Sequence, residues 1–450
     1  MPVFGDAQSM RTFIRQSSLY DISGVYLSGI ISFLAYFLLT ASLSSQMAVP
    51  EFGYYNFCLK LTVMVSNLLV MGQPLAIRVF LSSAMRQSAD TCARSLFNWA
   101  SRQIVCLCIV CVIGFGLVQL SLIYRNLDTG LFYSLSYLIL AIPFLAIVNL
   151  LPPILDVLHF FKLSRLTQHV LGHAIYCSIL ITAAFLGKIW SLKEMIILYI
   201  ASQLIVIAAI TLIVMPHISR ILQRPVLIIP QPKNLYSRTA MLGWIANGSY
   251  QVITNLSILV VGLFISEPET LGHFSAVLTI VSFYSLLSDS LRGFLSQRLM
   301  ELLRLSPKKA YELLMEALLL NAIGTLVVYL VGIYAQGPIL RFFGEAFIDD
   351  LSILHTALTL NALLNIFQPI WSLVEYNQPG VHARLCMMWL MISVPLLLVM
   401  TAEYGILGTV IGEVMAEFLV IFGLLYQWSL IGRGIGAKFT EYLAEVAIND

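Results

Sequence analysis

Charged and amide side chains recur at helical spacing inside stretches otherwise made of hydrocarbon residues, a pattern suited to holding a polar ligand or an ion. At about 100° per residue, Asn56, Lys60, Asn67, Pro74 and Arg78 fall within about 40° of one another, with Met71 filling the gap. Lys60 lies roughly 10 Å below the outer end of this helix at about 1.5 Å per residue, where an ammonium group attracts anions. It can also snorkel outward, and Arg78 can serve as a surface anchor. Glu413 and Glu417, one turn apart and roughly 12 to 18 Å from the outer end of the last apolar segment, need a partner, a bound cation or a proton. They are the candidates for ion or proton coupling.

Other segments repeat the theme. One carries Gly243, Asn247, Tyr250, Gln251 and Thr254 on a single face, the next Ser282, Ser285, Asp289, Arg292 and Ser296, and a third Asn361, Asn365, Gln368 and Ser372. The first segment adds Asp21, Ser28 and Ser32. For any one Ser, Thr or Asn, a hydrogen bond between helices is the plainer reading, and Glu316 sits near enough to a segment end to snorkel. The combination with Lys60 and Arg78 is what points to a polar cavity. Candidate substrate-binding residues are therefore Lys60, Arg78, Asn67, Asn56, Asn247, Gln251, Asn365 and Arg292, and candidate coupling residues are Glu417, Glu413 and Asp289.

Bond-breaking chemistry finds little support. His169 and His173 are one helical turn apart, but HVLGH lacks the Glu of a zincin and an evident third ligand, which argues against a metal. The chain has no Walker A sequence, no nucleophile elbow and no Gly-rich dinucleotide fingerprint, so neither a cofactor nor a catalytic residue is assigned. A membrane-embedded enzyme is a further alternative, which the short connectors on the outer side argue against because they cannot carry a site.

These residues must be positioned by membrane helices. The 450 residues are 59% hydrophobic and 11% charged, against roughly a quarter charged in soluble domains. At about 20 residues per crossing there is room for roughly 12 spans. They fall at about 20–43, 54–77, 103–123, 131–151, 166–187, 194–215, 241–265, 272–291, 312–335, 351–374, 385–402 and 405–428, with no barrel-like alternation. Most of the 25 basic residues lie on alternate connectors of one side. The other side has only Arg125, Lys188, Lys193 and Arg341, which places both termini in the cytoplasm. The net charge of +2 is spread along the chain and implies no nucleic acid partner, and Cys106, Cys108 and Cys111 read as packing residues.

The chain also looks duplicated. Pro50-Glu51-Phe52-Gly53-Tyr54-Tyr55 is echoed by Pro268-Glu269-Thr270-Leu271-Gly272-His273-Phe274, each opening an even-numbered helix. The expected architecture is an all-α polytopic membrane protein of twelve transmembrane helices in two six-helix lobes around a central cavity. The expected parts are a cytoplasmic tail (1–19), an N-lobe (20–215), a basic cytoplasmic linker (216–240), a C-lobe (241–428) and a cytoplasmic C-terminal tail (429–450).

Three stretches carry a family resemblance: SSQMAVPEFGYYNFCLKLTVMVSNLLVMGQPLAIR (Ser44 to Arg78), FFGEAFIDDLSIL (Phe342 to Leu354) and YGILGTVIGEVMAEFLV (Tyr404 to Val420). Together with the helix count, the chain resembles the oligosaccharide-lipid flippases of the MOP superfamily, the Wzx-type exporters of polysaccharide repeat units. The resemblance implies a flippase that moves a polyprenyl-diphosphate-linked oligosaccharide by alternating access, for O-antigen-like surface polysaccharide. Its implied partners are that lipid-linked sugar, a polysaccharide polymerase, a chain-length regulator and a coupling ion. Multidrug exporters of the MATE type share the twelve-helix plan, so a cation-coupled drug exporter is the alternative. The basic stripe on the second helix argues modestly against it, because a cation site needs carboxylates or aromatic faces.

Overall fold

The computed structural model describes residues 27, 29–31, 33–77, 90–124, 134–157, 160, 163–164, 167, 171–185, 191–222, 233–265, 267–305, 307–375 and 379–449. Among them no strand occurs, and the molecule is a two-lobed bundle of helices. The N-lobe contains α1 (Gly29–Ser44), α2 (Val49–Leu69), α3 (Asp90–Tyr124), α4 (Ala141–Val157), α5 (Gly172–Phe185) and α6 (Leu192–Leu222). The C-lobe contains α7 (Lys233–Phe264), α8 (Pro268–Leu305), α9 (Pro307–Arg341) and α10 (Leu351–Asn365). It ends in the stretch Pro379–Asn449, which turns back at Gly405 (φ 61°, ψ −140°) into α11 (379–404) and α12 (406–449). Glycine tolerates this left-handed backbone, and the two arms then pack closely: a Cβ on Gly408 would collide with the Met400 carbonyl oxygen. The expected tail at residues 1–19 lies outside the described residues.

Helices begin and end where local chemistry directs. Proline occupies the first turn of α2, α8 and α9, where its missing N–H has no helical partner to lose. Several helices outrun their apolar spans. α8 reaches from Pro268 to Leu305, and α6 and α7 enter the linker from either side. Hydropathy marks only the part of a helix that needs lipid, whereas helical hydrogen bonding continues into water. Similarly α4 carries Pro152 and Pro153 and runs on to Val157, and the Pro152 carbonyl accepts the Ser164 hydroxyl at 3.1 Å.

Six helical stretches among the described residues are long and apolar enough to cross a membrane, the last of them spanning α11 and α12. Their large apolar side chains point outward, among them Leu117, Leu212, Leu319 and Met391, as expected of a multi-pass membrane protein facing lipid. Inside, one apolar cluster belongs to the N-lobe around Leu150, Leu155 and Ile210, and another to the C-lobe around Leu291, Leu313 and Trp389. A third joins the lobes at the end where α1 leads into α2. There the Phe52 ring meets Phe343 and Phe347 at 6.4 and 6.1 Å between centroids, and Phe37 meets Phe343 at 5.5 Å.

α2 is the seam between the lobes. Near its start Gly53 packs on Gly272, the two glycines of the Pro-Glu echo, so closely that a Cβ on Gly53 would lie 2.5 Å from the Gly272 nitrogen. Midway, Asn149 of α4 donates to the Asn67 side-chain oxygen (2.8 Å), and Asn67 donates to Gln251 of α7 (3.1 Å). This amide chain crosses from one lobe to the other. The Trp244 indole of α7 then donates to the Leu68 carbonyl at 2.8 Å. At the far end Gly72 adopts φ 68°, following Met71 at φ 50°, and a Cβ on Gly72 would collide with the Ala240 carbonyl oxygen.

Gly72→Ala should therefore destabilise the detergent-solubilised protein by about 2–4 kcal/mol through left-handed strain and overlap. Gly114→Ala on α3, where a Cβ meets nothing within 4 Å, should stay within about 1 kcal/mol of wild type or stabilise it. Thermal unfolding of both variants checks the contrast. A double-mutant cycle of Asn67→Ala with Gln251→Ala should return a coupling of about 0.6–1.7 kcal/mol, the range for hydrogen bonds between membrane helices.

Candidate functional site

A cavity of about 320 Å³ opens between the lobes beside α2. Its N-lobe wall is Tyr36 of α1, Leu59, Lys60 and Val63 of α2, His173 of α5 and Tyr199 of α6. The C-lobe wall consists of Tyr250, Gln251, Thr254 and Asn255 of α7, residues from Val277 to Ser285 of α8, Asn361 of α10 and Val410 and Glu413 of α12. Because α2 lies between the lobes, part of it borders this space, and Lys60 is the member of its polar stripe that lines it. Lys60 is half-buried, with its Nζ 5.9 Å from the centre of the Tyr36 ring. Among the described residues no carboxylate forms an ion pair with it. A cation held over an aromatic face keeps most of its charge available to a ligand. The His173 ring stands edge-on to the same tyrosine at 5.3 Å, with the planes at 80°.

The C-lobe wall deepens into a recess of about 80 Å³ that shares Tyr250, Thr254, Ser285, Asn361 and Glu413 with the main cavity. It adds Ser288, Asn365, Gln368, Trp389 and Glu417. α10 makes this recess possible by breaking: after Asn365 the chain turns, and Gln368–Ile370 forms a 3-10 turn before a short helix at Trp371–Glu375. Irregular backbone at membrane depth survives only where protein satisfies it. The break swings the Gln368 amide to the Glu417 carboxylate, donating at 2.8 Å. Asn365 is engaged on every side: its oxygen accepts the Ser288 hydroxyl, its amide donates to Thr325 at 2.8 Å, and its carbonyl accepts Asn321.

The remaining sequence candidates sit as follows. Gln251 lines the cavity and also accepts Asn67, which lies just behind the wall. Asn56 is buried and donates to the Phe52 carbonyl of its own helix at 3.2 Å. Asn247 is half-buried on α7 and lines neither space. Arg292 lies beyond the recess, its guanidinium 4.6 Å over the Tyr250 ring and its Nε 3.7 Å from Glu375. Tyr250 stands between it and the cavity wall. Glu316 is exposed. Arg78, Asp21, Ser28, Ser32 and His169, and the side chains of Asp289 and Ser296, lie outside the described residues.

Four contributors escape a reading of stripes. Tyr36 and Tyr199 are aromatic residues among many, Asn149 is a single amide in an apolar helix, and His173 becomes notable only once α5 packs beside α2. What the site offers chemically is one cation and one imidazole on the N-lobe side, carboxylates on the C-lobe side, and amides and hydroxyls between them.

No protein-family model and no curated protein sequence matches this chain. Solved structures do match. A MATE protein in complex with MaD5 superposes with a TM-score of 0.67 at 13% identity, over 92% of this chain and 96% of that one. The eukaryotic MATE transporter AtDTX14 gives 0.64 at 15% identity, over 93% and 96%. A MOP superfamily transporter from Pyrococcus furiosus, described as having a binding pocket of reverse polarity, gives 0.61 at 12% identity, over 91% and 95%. At these identities the likeness is one of fold: the chain has the two-lobed, all-helical fold of the MATE transporters of the MOP superfamily.

Proposed function

We propose that this chain is a flippase that carries a polyprenyl-diphosphate-linked oligosaccharide across the bacterial cytoplasmic membrane by alternating access, for surface polysaccharide synthesis. The observation that carries this reading is Lys60, presented to the interlobe cavity without an ion-pair partner among the described residues. A lysine at membrane depth is retained against a cost of about 2.5–3.5 kcal/mol, which favours a role toward an anion. The diphosphate binds Lys60, and Arg78 adds a second attraction. Gln251, Thr254 and Asn361 supply exchangeable hydrogen bonds for sugar hydroxyls. The lipid tail stays in the bilayer while the lobes rock about the α2 seam. N-lobe (20–215) and C-lobe (241–428) are the moving bodies, and both termini are cytoplasmic. Glu413, Glu417 and Asp289 couple the cycle to an ion or proton, and a polymerase with its chain-length regulator receives the product.

A second reading is favoured by Glu413 on the cavity wall, with the aromatic rings of Tyr36, Tyr199 and Tyr250 nearby. Carboxylate and aromatic faces suit an amphipathic organic cation, the cargo of a MATE-like multidrug exporter.

Lys60→Ala separates the two readings. For the flippase it should lower surface polysaccharide export at least about tenfold, the loss of one charge-assisted hydrogen bond, with normal amounts of protein in the membrane. For a drug exporter Lys60→Ala should leave export of organic cations intact, whereas Glu413→Gln should abolish the drug resistance the protein confers.

A further inference from the structure

The charges that line the cavity are segregated by lobe. Among its described lining residues the only lysine and the only histidine, Lys60 and His173, stand on the N-lobe wall, and the only carboxylate, Glu413, stands on the C-lobe wall. Lys60 and His173 belong to different helices, α2 and α5, yet both meet Tyr36 of α1: Lys60 lies 5.9 Å from its ring centre, and His173 is edge-on at 5.3 Å. Both side chains are half-buried, so each is held by protein on one side and faces the cavity on the other. Local packing sets this up. Gly172, directly before His173, sits so close to α6 that a Cβ there would lie 2.8 Å from the Gln203 side chain, and this approach brings α5 to the cavity wall. Gln203 is itself buried.

We propose that His173 and Lys60 together grip the anionic end of the cargo beside the Tyr36 ring, while the Glu413 wall takes its hydroxyl- or amine-bearing end. The inference rests on the anionic-cargo reading above and assigns His173, a residue that spacing alone suggests only as half of a metal pair. An imidazole N–H donates to a phosphate oxygen whether or not the ring is charged, and an ammonium beside it adds a point charge. Glu413 across the cavity repels an anion and accepts hydrogen bonds from sugar hydroxyls or amines. The cargo is therefore bound in one orientation, with its phosphate end tied to the N-lobe.

Binding of geranyl diphosphate to the purified full-length protein in detergent, followed by intrinsic tryptophan fluorescence, tests this directly. Thermal unfolding confirms that each variant is folded. Lys60→Ala and His173→Ala should each weaken binding about tenfold, the loss of one hydrogen bond to a charged group. His173→Gln, which keeps a donor, should recover a large part of that loss and serves as the variant if His173→Ala does not fold. Glu413→Gln should bind the probe several-fold more tightly. Wild-type affinity in both His173 variants, with binding lost in Lys60→Ala, would overturn the role of His173 and leave the anionic-cargo reading standing. Weaker binding in Glu413→Gln would overturn the assigned orientation. Failure of the wild-type protein to bind geranyl diphosphate would overturn that reading and this inference together. Inorganic pyrophosphate should bind more weakly than geranyl diphosphate; equal affinity would keep the two-residue anion grip and overturn the lipid character of the cargo.

Discussion

A polar group placed in hydrocarbon has no water to satisfy it, and a lysine at the centre of a membrane helix costs about 2.5–3.5 kcal/mol on insertion scales. The arrangement of this molecule follows from that constraint. Apolar side chains such as Leu117, Leu212 and Met391 cover the outside, and polar groups at depth are turned toward protein or toward the interlobe cavity. Gln368 answers Glu417, Thr325 and Ser288 answer Asn365, and Glu375 lies near Arg292. Lys60 is the exception that carries meaning. Its ammonium lies over the Tyr36 ring and lines the cavity.

α2 lets the two lobes share this interior. It is pressed against the C-lobe by glycines at both ends, Gly53 on Gly272 and Gly72 on Ala240, and by the Asn149–Asn67–Gln251 amides between them. Small residues allow the backbones to approach, and the amides then fix the register of the approach. Gln251 belongs both to this seam and to the cavity wall.

Much of this was legible in the sequence. Helix number and order follow from the apolar segments, since each must span a fixed thickness. The two Pro-Glu stretches that echo one another each open a helix, and their glycines, Gly53 and Gly272, touch. Lys60 and Gln251 could be placed in a polar interior because helical periodicity puts them on shared faces. Packing between helices is a different matter. His173 and Asn149 matter through neighbours more than 80 residues away in the chain for Asn149, and periodicity within one helix carries no such information. The same limit applies to Arg292 and Asn365: their residue types suggested ligand contacts, but whether a guanidinium or an amide is spent on a neighbouring side chain is decided by the facing helix. Fold likewise outruns cargo. Chains with 12 to 15% identity share this architecture, so the architecture alone does not say what the cavity binds.

Movement of an anionic lipid head without chemistry can be measured by reconstitution. Purified protein in liposomes containing a labelled polyprenyl-diphosphate-linked oligosaccharide is assayed for accessibility of the sugar to an external, impermeant reagent. With a flippase, sugars first protected in the inner leaflet should become accessible in a protein-dependent manner, with the lipid-linked sugar chemically unchanged. Accessibility equal to that of protein-free liposomes, from protein that nevertheless drives transport of an organic cation, would contradict it.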